Sequence, residues 1–184
     1  MGAKALAEQL KTTDKEARSF LSSFKSSYPA VQSFINRTIS DCQRNGYVET
    51  ILGCRRYLPK INSPSSEHSS QAERQAVNTT VQGSAANIAK TAMVNVDRRL
   101  REKFPAVIPY RLRTGNDNFS IEAGAVLVLQ LHDELIYEVA AKDLASVAQL
   151  VKHEMEHAVD LSRPLPVKLR TGSSWGELQP YDLR

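Results

Sequence analysis

Ala125-Val-Leu-Val-Leu-Gln-Leu-His-Asp-Glu-Leu-Ile-Tyr-Glu-Val139 consists of two apolar runs that meet at His132-Asp133-Glu134. The first run, Ala125 to Leu131, is β-branched and aliphatic, a composition suited to a buried strand. The second, Leu135 to Val139, alternates more openly. Two adjacent carboxylates lie between them. A two-residue hairpin turn favours Asn-Gly, Asp-Gly or Gly-X, because its backbone needs positive φ. Asp-Glu is a poor choice on those grounds. Two like charges at the tip of an apolar hairpin repel each other unless water or a cation screens them. A bound divalent metal would remove the repulsion. A solvated acidic turn accounts for the same residues, and on these residues alone it is the favoured reading.

The surrounding chain is that of an ordinary soluble domain. Its 184 residues suffice for one large domain or two small ones. The net charge of +4 permits a polyanionic partner without requiring one. Cys42 and Cys54 form no CxxC pair and suit a reducing compartment. No apolar run is long enough to cross a bilayer. Lys4, Glu8 and Lys11 interrupt any signal peptide, and Leu6 stands where a myristoylation motif wants Ser or Thr. Ala3 to Leu10 is strongly helical but has no capping residue before it, so the chain is expected to begin inside a helix, as part of a longer protein.

Outward from the hairpin, the spacing predicts a helix over residues 3–11 and a second opened by a Thr13/Glu16 capping box. Ala17, Phe20, Leu21 and Phe24 give the second helix one apolar face. A third runs from Pro29 and closes at Asn45-Gly46. Tyr47–Leu52 and Arg56–Leu58 suit a small hairpin turning at Gly53-Cys54, and residues 59–70 a polar loop. A Ser70/Glu73 capping box then opens a long helix reaching Lys103. Its Gly83-Ser-Ala-Ala86 segment lets another part of the chain approach closely. Its last turns carry Arg98, Arg99, Arg101 and Lys103, which suit the negative end of the helix dipole and a solvated face. Residues 104–123 read as a loop with one short strand. After the central hairpin come an amphipathic helix over residues 143–161, a strand over 166–170, and a Gly172–Gly176 turn returning the chain to a packed Trp175.

Two patterns compete for the chemistry. His153-Glu-Met-Glu-His157 fits the HExxH pattern of zinc hydrolases, with Glu154 as general base. At about 100° per residue, however, Leu144, Val147, Ala148, Val151 and Met155 define the apolar face, and His153 falls about 180° from its centre. A solvated face is the simpler reading. The second pattern joins the hairpin carboxylates to Arg74, Asn78 and Gln82, four residues apart in a helical row. Such donors and acceptors can read minor-groove acceptors with little regard to sequence. An ordinary polar helix face has the same spacing.

At this point the residues resemble a family. Gln130–Val139 resembles the third catalytic motif of family A DNA polymerases, and Ala72–Ala86 looks like the long helix of the same palm. Thr50-Ile-Leu-Gly-Cys-Arg-Arg-Tyr-Leu-Pro59 resembles the family's TxxGRRxxLP segment. Met1–Leu6 looks like the stretch that follows the nucleotide-binding helix of the fingers. Ser174–Leu178 is most similar to the theta-like branch. The resemblance implies an α+β fold: a palm with an antiparallel sheet and a long helix over residues 47–184, preceded by part of the helical fingers over 1–46. It implies transfer of a deoxynucleotide to a primer 3′-hydroxyl, assisted by two Mg2+ ions about 3.5–4 Å apart in the complete enzyme. Primer–template DNA and a deoxynucleoside triphosphate are the implied partners, DNA repair or replication in the nucleus the implied setting, and no membrane is involved. Asp133 matches the direct metal ligand and Glu134 its accessory neighbour. His132 matches a contact to the primer terminus. Arg74, Asn78 and Gln82 match contacts to the primer–template minor groove, and Arg55 keeps a DNA-binding position.

The departures carry their own expectations. The first catalytic motif, which supplies the partner aspartate, and the nucleotide-binding helix lie upstream of these residues. One Asp with an adjacent Glu cannot complete a two-metal clamp, so the polypeptide by itself is expected not to polymerise DNA. Cys54 stands where an Arg is usual, and Asn87 where an Asp is usual. Residues 104–123 are short where the theta-like branch carries a larger insertion. The rival from another class is a catalytically silent DNA-binding module.

Overall fold

The computed structural model describes residues 3–104 and 123–183. They divide between Gly83 and Ser84 into two compact units.

The first unit is helical with one small hairpin. Helix α1 spans Ala3–Leu10, α2 Asp14–Ser27 and α3 Pro29–Asn45. The capping box at the start of α2 forms as its sequence implies. The Glu16 amide donates to the Thr13 hydroxyl at 3.2 Å, and the Thr13 amide donates to the Glu16 carboxylate at 3.1 Å. The hydrogen bond from Thr12, reinforced by those from Thr13, holds the Glu16 carboxyl below its usual range. The expected apolar face of α2 is only partly used. Ala17 is buried with Leu6 and Ala7, whereas Phe20 and Phe24 are exposed and Phe24 packs on Tyr28. Gly46, at φ 79, caps α3 in the left-handed conformation that a glycine adopts without strain.

Strands β1 (Tyr47–Glu49) and β2 (Arg55–Tyr57) pair antiparallel around a Thr50–Cys54 turn, in the expected hairpin but with a shorter first strand and the second shifted by one residue. Residues 59–70 are more ordered than a polar loop. Leu58 and Ile61 are buried against Cys42, Val48, Ala72 and Ala76, and that burial fixes the segment. Helix α4 therefore starts at Ser66, not Gln71, and Ser70 lies inside it rather than capping it. Burial also pushes the Cys42 thiol up, as suits an inert structural cysteine.

The long helix is interrupted. Thr79–Gly83 forms a π-helical turn before α5 (Ser84–Lys103). The Thr80 hydroxyl donates back to the Ala76 carbonyl at 3.1 Å, and Arg56 donates to the Thr79 hydroxyl at 2.9 Å. The Thr80 bond competes with the helix's own ladder at that carbonyl, which favours a loosened turn.

In the second unit, α5 packs with the base of a hairpin and with α6 (Leu144–Glu156). Strands β3 (Ala125–Leu131) and β4 (Glu134–Val139) are antiparallel, with a register shift between Leu127 and Leu129. Val96, Leu100, Ala125, Val147 and Val151 form the core. Tyr137 packs against it. Burial, aided by the charge of Asp97, pushes its phenol up, so the ring serves as neutral filler. The expectation that all of β3 is buried fails beyond its base. Val128 at the register shift is 60% exposed, and Leu129 and Leu131 are also open. Only the residues near Ala125 reach the helices.

The last strand expected over residues 166–170 is β5 (Leu169–Thr171), paired with an unanticipated β6 (Gln179–Tyr181). Trp175 does not pack; it is 60% exposed. Its turn is held instead by the Ser173 and Ser174 hydroxyls donating to the Glu177 carboxylate at 2.7 and 3.1 Å. The strand expected between 104 and 123 lies outside the described residues.

Candidate nucleic-acid and metal site

The central hairpin turns one residue earlier than its carboxylates suggest. Leu131 pairs with Glu134, so His132 and Asp133 are the two loop residues and Glu134 opens β4. The positive φ that such a turn requires falls on His132, at 55°. Histidine is among the few non-glycine residues enriched there, whereas a β-branched residue would be strained. The Gln130 side-chain amide donates to the His132 carbonyl and pins the turn. Sequence reasoning missed this role of Gln130, although an amide two residues before a tight turn is the available signal. His132, Asp133 and Glu134 are all exposed. An apolar hairpin thus presents two carboxylates at its tip.

In the first unit, Arg74, Asn78 and Gln82 are also exposed. Arg74 and Asn78 lie on α4, and Gln82 lies in the π-helical turn. The extra residue per turn alters the exact four-residue row at its last member. Arg55 is engaged. Its guanidinium donates to Glu49 at 2.7 Å and lies over the Tyr47 ring at 4.6 Å. The Glu49 hydrogen bond holds its pKa further above the usual arginine value. The neighbouring Arg56, not singled out from the sequence, ties the hairpin to Thr79.

The HExxH residues build no metal site. His153 and His157 are exposed and stack at 4.4 Å, and α6 ends at Glu156, before the second histidine. Glu154 is paired with Arg99 at 3.5 Å. No group of three or more His, Cys, Asp or Glu side chains is arranged around a common point among the described residues. The basic end of α5 is a solvated, ion-paired face: Arg101 meets Asp97 at 2.8 Å, and Arg99 meets Glu102 at 3.0 Å.

The family model for DNA polymerase family A matches residues 1–177. The chain belongs to DNA polymerase family A. It is 46% identical to DNA polymerase theta of Mus musculus, an alignment covering all of this chain and 8% of that protein. To DNA polymerase I of Treponema pallidum (strain Nichols) it is 38% identical, over 96% of this chain and 16% of that protein. Among solved structures, it resembles the POL domain of Pol1 from M. smegmatis in complex with DNA primer-template and dNTP. The TM-score is 0.75 at 32% identity, over 89% of this chain and 26% of that one. The chain thus spans less than a fifth of the length of these curated relatives. The α+β architecture that the resemblance implies is that of a family A polymerase domain. The likeness to theta extends well beyond Ser174–Leu178. No described helix is long and apolar enough to cross a membrane.

Proposed function

We propose that this chain is the palm, over residues 47–184, and part of the fingers, over 1–46, of a DNA-directed DNA polymerase. The observation that carries this reading is the His132-Asp133 turn, which offers Asp133 and Glu134 at a hairpin tip in a chain of this family. Hard, adjacent carboxylates suit Mg2+, which is bound through one or two protein carboxylates together with substrate phosphates and water. Asp133 would hold the ion and Glu134 would assist, with a partner carboxylate from outside these residues. When bound, two such ions lower the pKa of the attacking hydroxyl and neutralise charge on the transferring phosphate.

The chain's own side chains then supply position. The His132 imidazole contacts the primer terminus and holds it near Asp133. Arg74, Asn78 and Gln82 donate to the minor-groove acceptors that all correct base pairs share, so they test pair shape rather than sequence. Arg55 contributes least, because Glu49 already neutralises much of its charge. A deoxynucleoside triphosphate and primer–template DNA are the substrates. The likeness to theta supports a role in nuclear DNA repair or replication, although bacterial polymerase I relatives match as well.

The test is Asp133→Ala in the full-length protein. Primer extension falls below detection while affinity for primer–template stays within about threefold, since the removed carboxylate serves the metal and not the DNA. Loss of DNA affinity with the rate per bound complex unchanged would refute the metal role. It would favour a DNA-binding module without chemistry.

A further inference from the structure

In the row Arg74, Asn78 and Gln82, the last member alone stands outside regular α-helix. Gln82 lies in the Thr79–Gly83 π-helical turn. Such turns are rare, so the local chain gives little reason for one here. The small hairpin of the same unit meets this turn at both ends. Residues directly opposite each other in an antiparallel pair share a face. Arg56 is opposite Val48, which is buried with Ala72 and Ala76 of α4, so Arg56 lies on the face toward the helix. Tyr47, Tyr57, Glu49 and Arg55 occupy the other face and pack on one another. The Arg56 guanidinium donates to the Thr79 hydroxyl at the first residue of the turn. At the last residue, Gly83 lies against the Thr50 methyl group with no room for a side chain between them. The Thr50 hydroxyl is itself engaged, accepting from the Cys54 amide. Val81 and Gln82, between the two anchors, are exposed.

We propose that Arg56 and Thr79 are positioning residues for nucleotide transfer: their hydrogen bond braces the π-helical turn and so aims Gln82 at the minor-groove acceptor it reads. This inference rests on the polymerase reading above and on the role given there to Gln82. Neither Arg56 nor Thr79 touches DNA in this arrangement. Without the brace the turn is free to relax toward regular α-helical spacing, which would rotate Gln82 relative to Arg74 and Asn78. A correctly paired primer end then loses a hydrogen bond that a mispaired end, with its acceptors displaced, does not fully make. The cost falls on discrimination between the two ends. Affinity for the duplex is spared, because Arg74 and Asn78 keep their places on α4.

The experiment measures single-nucleotide extension by the full-length protein from a matched and from a terminally mismatched primer, with affinity for each primer–template measured separately. Gln82→Ala should lower the ratio of matched to mismatched kcat/KM about fivefold, the share of one hydrogen bond. Thr79→Val keeps the side-chain shape and removes the acceptor. It should lower the ratio by about the same factor and leave duplex affinity within about twofold. Thr79→Ser, which keeps a hydroxyl, should restore the ratio, and Arg56→Ala should match Thr79→Val. In a Gln82→Ala background, Thr79→Val should lower the ratio no further, since no side chain is left to aim. A full second loss in that background would overturn the proposal and make Thr79 a residue of general stability. So would a loss from Arg56→Ala without one from Thr79→Val, which would mean that the guanidinium meets DNA directly. An unchanged ratio in both, beside a reduced ratio in Gln82→Ala, would remove the brace and leave the minor-groove reading intact. An unchanged ratio in Gln82→Ala itself would remove that reading, and the brace with it.

Discussion

At the scale of the residue, His132 is the position where local backbone preference and the proposed chemistry pull apart. Its φ of 55° lies in the left-handed region, which costs an ordinary side chain about 1–2 kcal/mol. Glycine removes that strain but adds chain entropy to the unfolded state, worth about 0.5–1 kcal/mol. The two effects nearly cancel. His132→Gly should therefore leave the denaturation midpoint almost unchanged, with stability altered by no more than about 1 kcal/mol. Primer extension should nonetheless fall at least tenfold if, as proposed, the imidazole contacts the primer terminus. Thermal unfolding and steady-state extension, measured on the same preparation, separate the two. A variant that loses stability but keeps full activity would show that the histidine serves only the turn.

At the scale of the element, Gly83 shows what the small residues of the long helix permit. A Cβ built on Gly83 would lie 2.8 Å from the Thr50 methyl group, closer than packed carbons tolerate. Gly83→Ala should cost about 1–3 kcal/mol through overpacking. Thr50→Ser removes the methyl while keeping the hydroxyl that accepts from the Cys54 amide at 3.1 Å. The double variant should therefore recover most of the loss, and a double-mutant cycle by chemical denaturation measures the coupling. If the single Gly83→Ala change proves neutral, the close approach is relieved by a backbone shift. The same region shows which elements were legible in the sequence. Periodicity and caps located α1, α2, α3 and α6, because those signals act within a few residues. The π-helical turn was not legible, because no local pattern in residues 79–83 marks it; Arg56, 23 positions earlier, bonds to Thr79 at its start. The start of α4 was missed for a related reason: burial of Leu58 and Ile61 orders a segment whose composition is that of a loop. At the hairpin, the acidic tip was readable, but its register was not. The turn residues follow from strand pairing, and no local preference distinguishes Asp133-Glu134 from His132-Asp133 strongly enough.

At the scale of the whole molecule, the question is whether 184 residues suffice for synthesis. Asp133 and Glu134 offer two adjacent carboxylates on one turn. Two-metal catalysis needs both ions fixed about 3.5–4 Å apart, and that takes carboxylates converging from separate segments. The purified 184-residue polypeptide should therefore show no Mg2+-dependent extension of a labelled primer on a denaturing gel, even at micromolar protein and saturating deoxynucleotides. The full-length protein should extend the same primer, and Asp133→Ala should abolish that activity. Residual duplex binding by the polypeptide, reduced by Gln82→Ala, would be compatible with this outcome because the minor-groove contacts proposed for Arg74, Asn78 and Gln82 need no metal. Extension by the polypeptide that vanished on chelation and on Asp133→Ala would mean that the second carboxylate set lies within these residues, and the division of labour proposed for the site would have to be abandoned.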